Sequence, residues 1–160
     1  MDQKLLEYLK KHTIVYEIIE HAPVFTVREA DNLRIPFPKG TAHTKNLFMK
    51  DEKKNYYLIS LEAHDRLNTK KLKKQLVCKE LEFASPEELN EELHLTPGSV
   101  SPFGLIHATK TRYLIDKKLW HAEKLGFHPN QNNATFIITH STFEQWLKSL
   151  PIQFKIVSIT

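Results

Sequence analysis

Residues 45–61 read KNLFMKDEKKNYYLISL, and this stretch decides what the chain builds. Two apolar, aromatic-rich runs, Lys45–Lys50 and Tyr56–Leu61, flank the polar residues DEKKN. Aromatic and β-branched side chains suit a pleated backbone, and five polar residues suffice to turn one strand back on the next, so the stretch predicts a β-hairpin. Towards the C-terminus, lysine-rich Thr69–Gln75 predicts a helix and Leu81–Ala84 a short strand. Ser85 opens SPEEL, with a capping hydroxyl, proline at the first helical position and two glutamates in the first turn; this helix should end near His94. Thr96–Gly104 (TPGSVSPFG) is dense in turn residues and predicts no regular structure. Arg112–Asp116, Ala134–Thr139 and Phe154–Ile159 read as strands, and Ser141 as the cap of a helix through Leu150.

Towards the N-terminus, Leu5, Leu6 and Leu9 fall at helical spacing in Gln3–Lys11, and Ile14–Ile19 (IVYEII) reads as a strand. Thr26 with Glu29 three residues on forms a capping-box pattern for a second short helix. Ile35–Gly40 (IPFPKG) holds two prolines and a glycine and predicts a loop. Strands and short helices intermix, which predicts one α/β domain spanning residues 1–160 around a mixed sheet.

At 160 residues and 41% hydrophobic, the chain has the length and apolar content for one folded core. Its single cysteine, Cys78, excludes an intramolecular disulfide and a four-cysteine zinc site, and fits a reducing compartment. The start, MDQKLLEYLKKHT, lacks the apolar core of a signal peptide, and no apolar run reaches the roughly 20 residues of a membrane span. A soluble, cytoplasmic protein is expected. Residues 1–80 carry 16 basic and 11 acidic residues, net +5, against 7 and 8, net −1, in residues 81–160. Such a pole suits either a solvated lysine-rich face or a polyanionic partner.

Three segments stand out: Gly40–Leu47 (GTAHTKNL), Thr96–Gly104 and Phe127–Asn130 (FHPN). All four glycines of the chain, Gly40, Gly98, Gly104 and Gly126, sit in or beside them. A chain so sparing of glycine uses each for a backbone need, a positive φ or a close approach. Lys45 has two readings: a stem that snorkels to solvent, or a cation at a strand mouth that holds a phosphate or polarises a carbonyl. Asn46, its neighbour, should point to the opposite face of the strand. His128, before Pro129, is either a structural histidine or a catalytic one. Nine histidines with no tight ligand spacing argue against a metal site. Cys78, in apolar-periodic QLVCKEL, reads as a buried inert thiol. No GxSxG, P-loop or GxGxxG pattern is present.

HTKNLF at His43–Phe48, TPGSVSPFGL at Thr96–Leu105 and FHPN at Phe127–Asn130, together with HAPVFTVREA at His21–Ala30, resemble the YbaK/ProX family of aminoacyl-tRNA deacylases, which is similar to the editing domain of bacterial prolyl-tRNA synthetases. The resemblance covers nearly the whole chain. It implies a twisted, mostly antiparallel sheet closing towards a barrel with helices around it, and hydrolysis of the ester joining a wrong amino acid to the tRNA 3′ end. The freestanding type acting on Ala-tRNA(Pro) is the nearest likeness. Hydrolysis of Cys-tRNA(Pro), or tRNA binding without catalysis, are the alternatives.

Carried over by residue, the resemblance assigns Lys45 as the essential lysine, with Gly98 and His128, and Asn46 beside the lysine. Gly98, Ser99, Val100, Ser101 and Pro102 form the GxxxP loop that binds the developing oxyanion or orients the substrate. Val24, Phe25, Thr26 and Ala30 are candidate pocket walls. Leu33–Lys39 (LRIPFPK) departs from the pattern with its two prolines. Lys50, Lys53, Lys54, Lys70, Lys71, Lys73 and Lys74 are candidate tRNA contacts. Aminoacyl-tRNA, with tRNA(Pro) first, and prolyl-tRNA synthetase are the implied partners; neither a cofactor nor a metal is expected, and no membrane.

Overall fold

The structure, a computed structural model, describes residues 2–160. Its elements run α1 (Gln3–Lys11), β1 (Glu17–Glu20), α2 (Val27–Leu33), β2 (Thr41–Asp51), β3 (Tyr56–Glu62), α3 (Thr69–Leu76), β4 (Leu81–Phe83), α4 (Pro86–Leu93), a 3₁₀ helix (Pro102–His107), β5 (Arg112–Asp116), α5 (Lys117–Trp120), β6 (Lys124–Phe127), β7 (Ala134–Thr139), α6 (His140–Ser149) and β8 (Phe154–Val157). The strands form one mixed sheet in the order β1-β7-β6-β2-β3-β5-β8, with β4 on β2. Pairings β1–β7, β2–β3, β2–β4 and β6–β7 are antiparallel; β2–β6, β3–β5 and β5–β8 are parallel. The outer strands β1 and β8 do not pair with each other, so the sheet is open rather than closed into a barrel.

The hairpin is the centre of this sheet, and both its faces are covered. Phe48, Tyr56 and Leu58 join the larger core with Leu5 and Leu9 of α1, Leu89 and Leu93 of α4, and Phe143, Trp146 and Leu147 of α6. Met49, Tyr57, Ile59 and Leu61 join a second cluster with Leu72 of α3, Leu114 and Val157. Alternation therefore sends successive side chains into two cores. Each such side chain contributes about 1.5–3 kcal/mol by burial.

Local signals are realised in α2 and α4. Both capping boxes form, Thr26 with Glu29 and Ser85 with Glu88. Elsewhere other bonds, mostly local, move the expected boundaries. Ile14 does not begin β1, because its N–H bonds the Leu9 carbonyl behind the left-handed turn at Thr13. The last strand stops at Val157, because the Ile159 N–H donates to the Asp116 carboxylate. The cap of α6 is Thr139 rather than Ser141; Thr139 ends β7 in extended backbone and its hydroxyl accepts from the Thr142 N–H. The turn-rich 96–104 segment is irregular only to Ser101, after which Pro102 starts the 3₁₀ helix. Helix α5 and strand β6 have four residues each and went unpredicted. Among the described residues, no helix is long and apolar enough to cross a membrane.

Candidate active site

Strand β2 changes partners along its length. Residues Thr41 to His43 pair with β6, and on the same side β4 joins only at Met49. The opposite edge pairs with β3 from Thr44 onward. The edge of β2 from Thr44 to Leu47 thus lies between two departing strands, and a cavity of ≈ 330 Å³ opens there. That volume suits a small ligand. Its walls come from seven parts of the chain: β2, the segment before and within α2, the two-proline loop, Ala63 after β3, residues 98 and 100, the end of β6 with His128, and Thr135 of β7.

Lys45 and Asn46 stand at this edge on opposite faces, as alternation predicts. Asn46 opposes Ser60 across the ladder and accepts its hydroxyl hydrogen bond, while its amide donates to the Thr44 hydroxyl at 3.4 Å. Thr44 in turn donates to the Gly126 carbonyl at 2.7 Å. Lys45 opposes Leu61, and its ammonium donates to the Asp65 carbonyl. An ammonium has three N–H donors, so this bond aims the side chain and leaves donors for a ligand.

Three histidines line the cavity: His21, His43 and His128. The His128 Nδ1 lies 3.2 Å from the Ala134 carbonyl. A carbonyl only accepts, so Nδ1 carries the proton and the neutral ring keeps a lone pair on Nε2. Burial pushes this imidazole below the ordinary histidine range, the Ala134 bond pulls it back, and nearby His21 adds a further push down. His21 lies 6.4 Å away, ring to ring. Its Nδ1 donates to the Ala22 carbonyl and its Nε2 accepts from the Thr135 hydroxyl, both at 2.9 Å. His43 is lowered by burial, against the pull of Asp31, and packs edge-on to Phe37 with centroids 4.3 Å apart.

The 98–102 loop divides by role. Gly98 has φ +88°, and a Cβ there would sit 2.7 Å from the Phe25 ring, so only glycine lets this ring lie across the loop. Gly98 and Val100 line the cavity. Ser99, Ser101 and Pro102 stand behind it: the Ser99 amide bonds the Thr96 carbonyl, buried Ser101 accepts from the Phe103 amide, and Pro102 begins the 3₁₀ helix. The four expected wall residues, Val24, Phe25, Thr26 and Ala30, all line the cavity, although the Thr26 hydroxyl is occupied by its capping box. Ile35 and Phe37 of the two-proline loop line it too.

Sequence reasoning missed His21, His43, Asp31 and Phe37 on these walls. For His43 a signal existed: it stands two residues before Lys45, hence on the same face of the strand. Lys50 is not a free cation. It pairs with Glu88 at 2.8 Å, which raises the lysine, and Glu88, held by Lys50, the Ser85 amide and Tyr56, falls to about 2. Lys53 and Lys54 in the hairpin turn are exposed, as are Lys70, Lys71 and Lys74 on α3, with Lys73 half-buried.

Cys78 lies outside the cavity and is half-buried rather than buried. Burial first, then Glu52 and Asp51, push its thiol up, away from the reactive thiolate. Asp51, Glu52 and Cys78 bring one potential ligand atom each within 4.8 Å of one another, a grouping that histidine spacing did not reveal. Both carboxylates are already bonded: Asp51 to Lys53, Asn55 and Tyr57, and Glu52 to the amides of Lys79 and Glu80.

A family model described as an aminoacyl-tRNA editing domain matches residues 21–145. The chain is 31% identical over 160 residues to the prolyl-tRNA editing protein ProX of Acetoanaerobium sticklandii, covering 98% of this chain and 96% of that protein. It is 36% identical to the prolyl-tRNA synthetase associated domain-containing protein 1 of Mus musculus, covering 83% of this chain and 81% of the relative. A crystal structure described as a candidate trans-editing enzyme for prolyl-tRNA synthetase superposes with TM-score 0.72 at 21% identity, covering 99% of this chain and 96% of that one.

Proposed function

The chain belongs to the aminoacyl-tRNA editing domain family, and on that premise we propose that it is a trans-editing deacylase of mischarged tRNA(Pro), with Ala-tRNA(Pro) as its substrate. One observation carries the reading: Lys45, Gly98, Val100 and His128, from three distant parts of the sequence, line a single cavity at the unpaired edge of β2.

In the proposed reaction, water adds to the ester carbonyl carbon and the carbonyl oxygen becomes an oxyanion. Collapse expels the ribose oxygen, which takes a proton, leaving free amino acid and tRNA with an intact 3′ end. Lys45 holds the terminal phosphate or the ester carbonyl. The amides of Gly98 and Val100 face the developing charge; that of Ser99 is engaged by Thr96. Preorganised donors in such a cavity supply most of the barrier reduction, together with proximity. The neighbouring ribose hydroxyl activates the water, and the Nε2 lone pair of His128 orients it or the aminoacyl group. Asn46 keeps the strand mouth in shape through Ser60 and Thr44.

No step uses an enzyme nucleophile, in keeping with a thiol outside the cavity. The reading also needs no metal: among the described residues, the one grouping of three potential ligands lies elsewhere, with its carboxylates engaged. Substrate choice is a sieve. A pocket built for proline rejects alanine by only about 1–3 kcal/mol, so a second site too small for proline removes the misproduct. Val24, Phe25 and Ala30 form that limit. Prolyl-tRNA synthetase, which makes the substrate, is the proposed partner, and the cytoplasm the proposed location. The exposed lysines of α3 lie on the Leu61 side of the sheet, the Lys45 side, where tRNA phosphates would pass.

The test is deacylation of Ala-, Cys- and Pro-tRNA(Pro) by the purified protein after dialysis against a strong chelator. Hydrolysis of Ala-tRNA(Pro) with Pro-tRNA(Pro) intact supports the reading. Faster hydrolysis of Cys-tRNA(Pro) would move the substrate, and binding without hydrolysis would reduce the protein to a tRNA-binding accessory. Activity lost to the chelator and restored by zinc would refute the metal-free mechanism.

A further inference from the structure

The FHPN motif gives His128 to the active cavity, but its last residue does something else. Asn130 lines a second, open cavity with Asp2, His94, His107 and Gln131. Its backbone is left-handed, φ 60°, a conformation that asparagine tolerates better than most residues. Its side chain faces Asp2, with the amide nitrogen 3.1 Å from a carboxylate oxygen that also lies 2.9 Å from the His107 Nε2. A carboxylate only accepts, so both partners donate. The His107 side chain is 5% exposed and stacks on His94 at 4.0 Å, and Asp2 caps α1 through the Leu5 amide. The anchor point is therefore fixed from three sides.

The other end of the same loop holds the neighbouring stretch of cavity wall. The carbonyls of Asn132 and Asn133 accept from the amides of Val24 and His21, at 3.0 and 2.9 Å. Residues 128–133 thus carry His128 at one end and brace the His21–Val24 wall at the other, with a side-chain anchor between them. We propose that Asn130 is a positioning residue for the deacylation: its bond to Asp2 fixes the loop, and through it the placement of His128 and of the adjoining His21–Val24 wall. This rests on the function proposed above.

Two variants test it. Asn130→Gly keeps the left-handed backbone and removes the amide; Asn130→Asp keeps size and turn preference but sets a carboxylate against Asp2. Gln131→Ala, in the same loop without the anchor, is the control. Two quantities are read: kcat and KM on Ala-tRNA(Pro), and the proton NMR titration of His128, with the facing His21 followed in the same spectra. Both Asn130 variants should lower kcat about tenfold with KM within about twofold, the loss expected when a positioned group drifts by a fraction of an ångström. The His128 titration should move up towards the ordinary histidine range as the loop loosens, while Gln131→Ala matches the unmodified protein in both. A His128 titration unmoved in both Asn130 variants overturns the proposal, whatever the rate does. If the unmodified protein deacylates nothing, the proposed function fails, and the titration still decides the anchor.

Discussion

The two halves of β2 are made from one continuous strand and do opposite things. From Met49 to Asp51 it has β4 on one edge and β3 on the other, and Phe48, Met49 and Asp51 are buried. From Thr44 to Leu47 one edge is open and every residue is partly exposed. The closed half holds two charged residues, Lys50 and Asp51, both engaged, and the open half one, Lys45. Asp51 accepts from the amides of Lys53 and Asn55, the Asn55 side chain and the Tyr57 hydroxyl. These bonds, working against burial, hold its carboxyl below the ordinary range. Lys45 makes one backbone contact and faces a cavity. A charge whose bonding capacity is filled by its own chain is architecture; one left with free donors beside a cavity is available for chemistry.

That contrast should separate rate from stability. Lys45→Ala should cut single-turnover deacylation of Ala-tRNA(Pro) by about a hundredfold or more, since a preorganised contact to developing charge is worth roughly 3–4 kcal/mol. Its circular dichroism and melting should stay near those of the unmodified protein, because little beyond the stem is buried. Asp51→Ala should do the reverse. It leaves the Tyr57 hydroxyl and two turn amides without their acceptor, at a cost of about 2–3 kcal/mol in urea unfolding, with kcat of the folded protein unchanged. Equal loss of rate in the two variants would break the comparison.

Gly98→Ala sharpens it at the facing loop. A methyl group at positive φ, 2.7 Å from the Phe25 ring, should displace that ring and lower kcat by about tenfold. If kcat holds, the loop amides do not face the reacting carbonyl.

The histidines give the comparison a pH dependence. The His128 imidazole is held below its ordinary value by burial, so the unfolded chain takes up the proton first. Stability should therefore fall as pH drops from the ordinary histidine value, about 6.5, through the depressed folded value. Deacylation should fall only as pH nears the depressed folded value, where Nε2 of the folded protein becomes protonated, and run flat above it. A rate that instead rises on acidification would assign His128 a charged role. The smallest effect is expected far from the cavity: Lys70→Ala with Lys71→Ala should raise KM and flatten its salt dependence, with kcat little changed. An unchanged slope would make these lysines solvated surface only.

What the sequence revealed follows the same division between local and long-range causes. The Thr26 and Ser85 caps act over three residues, and both were legible. The hairpin was legible because its own alternation carries it. Strand β6 was not: KLGF is short, and its parallel partner, Thr41–His43 of β2, lies far back in the chain. The start of β1 was misjudged where the turn after α1 ties Ile14 back to Leu9, and the end of β8 where Ile159 bonds distant Asp116. Motif likeness supplied Lys45, the glycine loop and His128 as candidates. It could not supply the open edge of β2, which exists only because β6 leaves at His43 and β4 joins at Met49. Nor could it reveal that Lys50 is paired with Glu88 across 38 residues.

The central claim is that substrate binds at the open half of β2, and one titration addresses it directly. An analogue of alanyl-adenosine with an amide in place of the ester cannot be hydrolysed in this way and can be added to isotope-labelled protein while the backbone amides are followed by NMR. The account predicts that the amides of Lys45, Asn46, Gly98, Val100 and His128 shift together, saturably, while those of Asp51, Tyr57 and Cys78 stay in place. Shifts gathered around Asp51 and Cys78, with residues 98–100 unmoved, would contradict it.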